Sequence, residues 1–217
     1  MNIFDQIVAG SKPNISSVIV APQQSDFDPE RGAVLQDLDD AGVMTVYNIL
    51  VGKLFLFENL KLENVDQLMH GLLVEDTHQI GALNDVPPNL RDANFVLCVS
   101  YLPGVTNPEV ESLKHAAENF SITIEQTAVS KVYAFWGNFS EKDCERIRGI
   151  FINKTIQYDL SELPETLSFG QKNAIRVETV PVRNLSDEEL AGLSAQKSLF
   201  LSLQEMRAAQ EYFRSLQ

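Results

Sequence analysis

Three histidines, His70, His78 and His115, make up the chain's full complement. No two of them stand one helical turn apart. A metal or acid–base centre draws several donors together, so these three are expected to be surface or half-buried side chains. Val51-Gly52-Lys53-Leu54 carries the Gly-Lys pair of a phosphate loop. Tyr47, however, stands where that motif's upstream glycine belongs, and Leu54 where its metal-binding hydroxyl is required. Neither a Gly-x-Ser-x-Gly elbow nor a dinucleotide Gly-x-Gly-x-x-Gly is present. Carboxylates cluster at Asp37-Leu38-Asp39-Asp40 and Asp187-Glu188-Glu189, where helix surfaces and caps account for them. Cys98 and Cys144 are isolated, which fits reduced thiols in a cytoplasmic protein rather than a disulfide framework.

The formal net charge of -13 repels phosphate backbones and anionic bilayers. Nucleic acid and membrane are therefore not expected partners. No apolar run is long enough to span a bilayer, and Met1-Asn2-Ile3-Phe4-Asp5 lacks the pattern of a secretion signal.

The elements that must hold these residues are written twice. Val51-Gly52-Lys53-Leu54-Phe55-Leu56-Phe57 is answered by Val129-Ser130-Lys131-Val132-Tyr133-Ala134-Phe135. His70-Gly71-Leu72-Leu73-Val74 is answered by Arg148-Gly149-Ile150-Phe151-Ile152, and Asp28-Pro29-Glu30 by Asn107-Pro108-Glu109. Such duplication implies two copies of one unit. Lys53 and Lys131 share a place in both copies, so a common structural role is expected: a strand-starting lysine with its stem on the sheet and its head in water.

In the first copy, strands are expected over 15–20, 44–50, 53–58 and 72–77, with Gly52 bending the chain between the middle two. Helices are expected from Asp28, as N-cap, to Gly42 and over 63–70. The second copy repeats this: strands over 95–101, 122–128, 131–136 and 150–157, and helices over 107–118 and 141–148. The order is βαββαβ, the ferredoxin-like split unit. The resulting expectation is an α+β chain of two tandem ferredoxin-like units, residues 1–83 and 84–165, with their sheets packed together. A linker segment over 166–217 follows, including an extended stretch over 174–182 and two helices behind the capping boxes at Ser186 and Ser202. The second of these carries Leu203, Met206, Ala209, Phe213 and Leu216 on one face and runs to the last residue without a stop signal. Its apolar face requires a partner, so Leu203, Met206 and Phe213 are candidate interdomain contacts.

Alternation places Leu54 and Leu56 on one side of a strand and Phe55 and Phe57 on the other. Val132 and Ala134 likewise oppose Tyr133 and Phe135. A split unit covers one face of its sheet with helices, so an apolar second face needs its own cover. Phe55, Phe57, Tyr133, Phe135 and Trp136 are accordingly expected to pack domain on domain. An RNA-reading sheet also displays rings, but the acidic charge and the lack of interleaved basic residues argue against it.

On Asp28-Pro29-Glu30-Arg31-Gly32-Ala33-Val34 and Val51-Gly52-Lys53, the first copy resembles the small subunit of phosphoribosylformylglycinamidine synthase. The tail, Val180-Pro181-Val182, Leu185-Ser186-Asp187-Glu188-Glu189-Leu190 and Leu201 to Phe213, is similar to the linker of that family's large single-chain form. The second copy departs from the pattern at Val110 to Leu113 and at Ser130. The resemblance implies an ATP-dependent ligase of purine biosynthesis that uses magnesium and glutamine-derived ammonia. This segment would be its N-terminal assembly module, inactive alone, with no catalytic, cofactor or metal residue of its own. Its partners would be the synthetase and glutaminase domains of the same enzyme. The alternative is a stand-alone tandem regulatory domain binding a small effector such as an amino acid.

Overall fold

The computed structural model describes residues 3–10, 12–167, 180, 182–197 and 199–215. It divides into two compact units, Met1–Phe169 and Gly170–Gln217. Among the described residues the chain is α+β, with one six-stranded antiparallel sheet and seven α-helices.

The sheet contains β1 (Ile15–Pro22), β2 (Val46–Glu58), β3 (Gln79–Leu83), β4 (Phe95–Tyr101), β5 (Gln126–Gly137) and β6 (Gln157–Asp159). Their order is β3-β1-β2-β5-β4-β6. The first unit's helices are α1 (Ile3–Val8), α2 (Arg31–Asp40), α3 (Leu62–Leu68), α4 (Pro108–Glu118) and α5 (Glu141–Phe151). A π-turn over Met69–Leu73 extends α3.

Four expectations are corrected. The paired strands over 44–50 and 53–58 are one strand, as are those over 122–128 and 131–136. Gly52 does not bend the chain. It allows close approach, because a Cβ there would sit 2.5 Å from the carbonyl oxygen of Val20. The apolar runs at Leu72-Leu73 and Ile150-Phe151 end helical segments, and the closing strands begin only at Gln79 and Gln157. A short apolar run fits the end of a helix face as well as it fits a strand. The two repeats do not stack sheet on sheet. They meet edge to edge, because the long strands β2 and β5 pair in unbroken register from Asn48↔Trp136 to Glu58↔Gln126, with an irregularity between Val46 and Asn48. Finally, Lys53 lies mid-strand rather than at a strand start.

Odd-numbered residues of β2 and β5 face α2 to α5; even-numbered ones face the other side. On the helix side, two buried clusters each mix both repeats. Val18, Phe55 and Phe57 pack with Val65 and Leu68 of α3, but also with Leu113 and Ala117 of α4. Leu97, Tyr133 and Phe135 pack with Ile147 of α5, but also with Val34 and Leu38 of α2. Each repeat's first helix therefore packs on the strands of both repeats, its own and the other's. The opposite side is apolar too, and its cover comes from Ile3, Phe4 and Ile7 of α1, from Val86 and Leu90 between the repeats, and from Leu160, Leu163 and Leu167. Gln6 fastens α1 to this cover, donating to the Ser161 carbonyl at 3.0 Å and accepting from Leu163 N at 3.0 Å. The two apolar faces do require two covers, but a short N-terminal helix and two irregular segments supply the second one.

In the second unit, α6 (Asp187–Gln196) and α7 (Leu203–Ser215) both begin with the expected capping boxes. Gln210 is buried and donates to the carbonyls of Val182 and Leu185, 2.8 Å each. Apart from residues 180 and 182, the stretch over 174–182 lies outside the described residues, as does Leu216.

Candidate functional site

The most ordered polar arrangement lies where the repeats meet. In the β2–β5 ladder Lys53 pairs with Lys131, its own counterpart in the repeat. Two ammonium groups on neighbouring strands of one face would repel each other. Both turn outward to carboxylates of the opposite repeat: Lys53 Nζ donates to Glu109 Oε2 at 2.7 Å, and Lys131 Nζ to Glu30 Oε2 at 2.7 Å. The two ion pairs cross the junction reciprocally. Half-exposed pairs of this kind contribute about 0–1 kcal/mol each, so their main effect is to fix the start of each repeat's first helix.

Those helix starts are anchored from below. The β1–β2 ladder ends at Val20↔Lys53, and the β4–β5 ladder at Val99↔Lys131. Beyond these points the backbone of Val51 and Val129 needs other partners. Asp28 Oδ2 accepts from Val51 N at 2.7 Å while its Oδ1 accepts from Glu30 N at 2.9 Å. Asn107 uses the opposite polarity below: its Nδ2 donates to the Val129 carbonyl at 2.9 Å, and its Oδ1 accepts from Glu109 N at 3.0 Å. Asn107 is the N-cap of α4 as expected, whereas the regular turns of α2 start at Arg31, past Asp28. Burial pushes the Asp28 carboxyl above its ordinary value, against the pull of the backbone donors.

A cavity lies beside each lysine. One, of ≈ 580 Å³, is walled by Val20, Glu30, Val51, Phe55 and Leu73. The other, of ≈ 190 Å³, is walled by the counterparts Val99, Glu109, Val129, Tyr133 and Phe151. Lys53 lines both. Two rings line the smaller cavity, Tyr133 and Phe151, stacked at 4.7 Å between centroids. Burial, reinforced by the charges of Glu30 and Asp37, pushes the Tyr133 hydroxyl up to about 12.

The ring residues singled out from the sequence do not form one surface. Phe55, Phe57, Tyr133 and Phe135 are buried beneath helices, the first two in one cluster and the last two in the other. Trp136 is half-buried on the opposite face, against the α1 cover. They are core residues, and a helix lies where a second sheet was expected. In α7, Met206 is buried within its own unit, while Leu203 is 37% and Phe213 45% exposed. The loop before α7 holds a residue that sequence reasoning passed over. Phe200 is 92% exposed and sits at φ 55, a conformation uncommon for a bulky residue. Its neighbour Leu201 is fixed by Ser194, whose Oγ donates to the Leu201 carbonyl at 2.7 Å and accepts from Leu201 N at 3.1 Å.

Each histidine sits beside an acid one turn away, His70 by Asp66, His78 by Glu75 and His115 by Glu118. Among the described residues there is no group of three or more side chains suited to hold a metal ion. Cys98 and Cys144 are free, and no helix among the described residues is long and apolar enough to cross a membrane. No protein-family model matches the chain, and no curated protein matches it.

Proposed function

We propose that this chain is an N-terminal assembly module of a phosphoribosylformylglycinamidine synthase, which docks the synthetase and glutaminase domains and performs no chemistry itself. In this reading each repeat is a ferredoxin-like unit whose central hairpin has merged into one long strand, and the pair stands for a dimer of the small subunit. The strand order, with both closing strands at the edges, and the Lys53↔Lys131 register favour that reading. The sharing of both helix-side clusters between the repeats favours it too, since a fused dimer shares its core in this way.

The observation that carries the docking role is Phe200. An aromatic side chain held outward on a loop fastened by Ser194, with Leu203 and Phe213 also exposed in the same unit, has the character of an anchor for a partner surface. The partner is the remainder of the enzyme, produced as a separate polypeptide for the test. Mixed with it, the chain should co-elute and support amidine formation from formylglycinamide ribonucleotide, ATP, magnesium and ammonia. Alone it should yield no amidine. Phe200→Ala should weaken the association by about thirtyfold, the scale of one anchor residue. Turnover by the chain alone, or failure of the two parts to associate, overturns the proposal.

A further inference from the structure

The two cavities beside Lys53 and Lys131 come from the same repeated string, yet they differ in size, ≈ 580 Å³ in the first repeat against ≈ 190 Å³ in the second. Phe151 and Tyr133 stack across the smaller one. At the counterpart positions the first repeat has Leu73 and Phe55, so no ring stacks on Phe55 from position 73; Phe27, Asp28, His78 and Gln79 also line the cavity, and ≈ 580 Å³ remains. That is the size of a pocket for a small organic molecule. The opening continues past Leu72 and Leu73 toward Leu113 and Ala116 as a shallow groove, which gives a path of entry.

The lining has a definite chemical character. Val20, Val51, Phe55 and Leu73 offer an apolar wall. The lining also holds a cation and an anion from different elements, Lys53 of β2 and Glu30 just before α2. Each is already paired, Lys53 with Glu109 and Glu30 with Lys131, yet both side chains remain 44% exposed. An ammonium has three donors and a carboxylate about four acceptor positions, so one ion pair leaves each able to take another partner. A molecule with an anion alone would meet Glu30 unfavourably, and one with a cation alone would meet Lys53 unfavourably. A compact zwitterion with an apolar body satisfies both ends and fills the wall.

We infer that the open cavity of the first repeat binds a free apolar α-amino acid, its carboxylate on Lys53, its ammonium on Glu30 and its side chain against Phe55 and Leu73. In the second repeat the Tyr133–Phe151 stack leaves a counterpart cavity of only ≈ 190 Å³. This site does not depend on the docking role of the second unit.

The test is calorimetric titration of the whole chain with L-leucine, L-methionine and L-phenylalanine, alongside isocaproate, isoamylamine and glycine. At least one of the three amino acids should bind. Isocaproate lacks the ammonium and isoamylamine the carboxylate, and each should bind at least about tenfold more weakly than leucine, the loss of one charge-assisted contact. Glycine, without the apolar body, should not bind measurably. Leu73→Phe installs the second repeat's own residue and should abolish binding while unfolding at the wild-type temperature or above. Lys53→Met keeps the cavity open and should weaken binding of the amino acid about tenfold or more; it keeps the test decisive if Leu73→Phe does not fold. Absence of binding by all three amino acids overturns the inference, as does unchanged affinity in Lys53→Met or in a folded Leu73→Phe.

Discussion

Asn107→Asp separates helix capping from tertiary hydrogen bonding. Asn and Asp are nearly equal as N-caps, and the oxygen that accepts from Glu109 N exists in both. Capping alone therefore predicts almost no change. The structure predicts a loss, because the Asn107 amide also donates to the Val129 carbonyl at 2.9 Å. A carboxylate would set an unprotonated oxygen against that carbonyl. One part-buried bond is lost and an acceptor left without its donor, about 1–3 kcal/mol, with added oxygen–oxygen repulsion. The deficit disappears with protonation. A neutral carboxylic acid can donate to Val129, so the folded-state pKa of the new group lies above its unfolded value of about 3.9. The deficit is absent below that unfolded value, grows as pH rises through it, and levels off above the folded value. Urea unfolding of wild type and variant, compared as a difference from about pH 4 to pH 7, measures this directly and cancels the titration of Asp28. A deficit below about 0.5 kcal/mol at neutral pH, within the range of ordinary surface changes, or one that does not shrink toward acid, would refute the reasoning.

Three further outcomes follow from the same structure. Gly52→Ala should cost about 1–3 kcal/mol, since its Cβ meets the backbone of Val20, whereas Gly149→Ala in open space within α5 should stabilise by about 0.5–1 kcal/mol; thermal melts distinguish the two. Fragments 1–83 and 84–167 should each lack a cooperative unfolding transition alone, because both helix-side clusters draw on both repeats, and should regain one when mixed. The Cys98 thiol, which burial pushes up to about 12, should react with an alkylating reagent at neutral pH only after denaturation, as peptide mapping by mass spectrometry would show.

How much of this was legible beforehand differs by element. The caps at Asn107, Ser186 and Ser202 were readable because a cap is a contact between residues two or three apart. The strand cores at Phe55, Phe57, Tyr133 and Phe135 were readable as buried, because alternation places them on an apolar face. The material that buries them was not. Gly52 gives the same local signal whether the chain turns there or a neighbouring strand approaches closely, and only the position of Val20 separates the two. Helix α1 was missed because six residues hold too little periodicity, and Phe200 because nothing in a sequence marks one phenylalanine as exposed.

The repeat, the charge balance, the capping boxes and the two-faced apolarity of the long strands were properties of the sequence alone, because each depends on residues adjacent or regularly spaced along the chain. Tertiary structure decided that the repeats share one sheet, pack their first helices over both halves of it and cross their ion pairs. It also decided that one of two counterpart cavities is the larger. The physical reason is common to all of these: they depend on which surfaces meet across many tens of residues, and apolar burial, which drives that meeting, has no direction of its own and accepts several partners until the whole chain is packed.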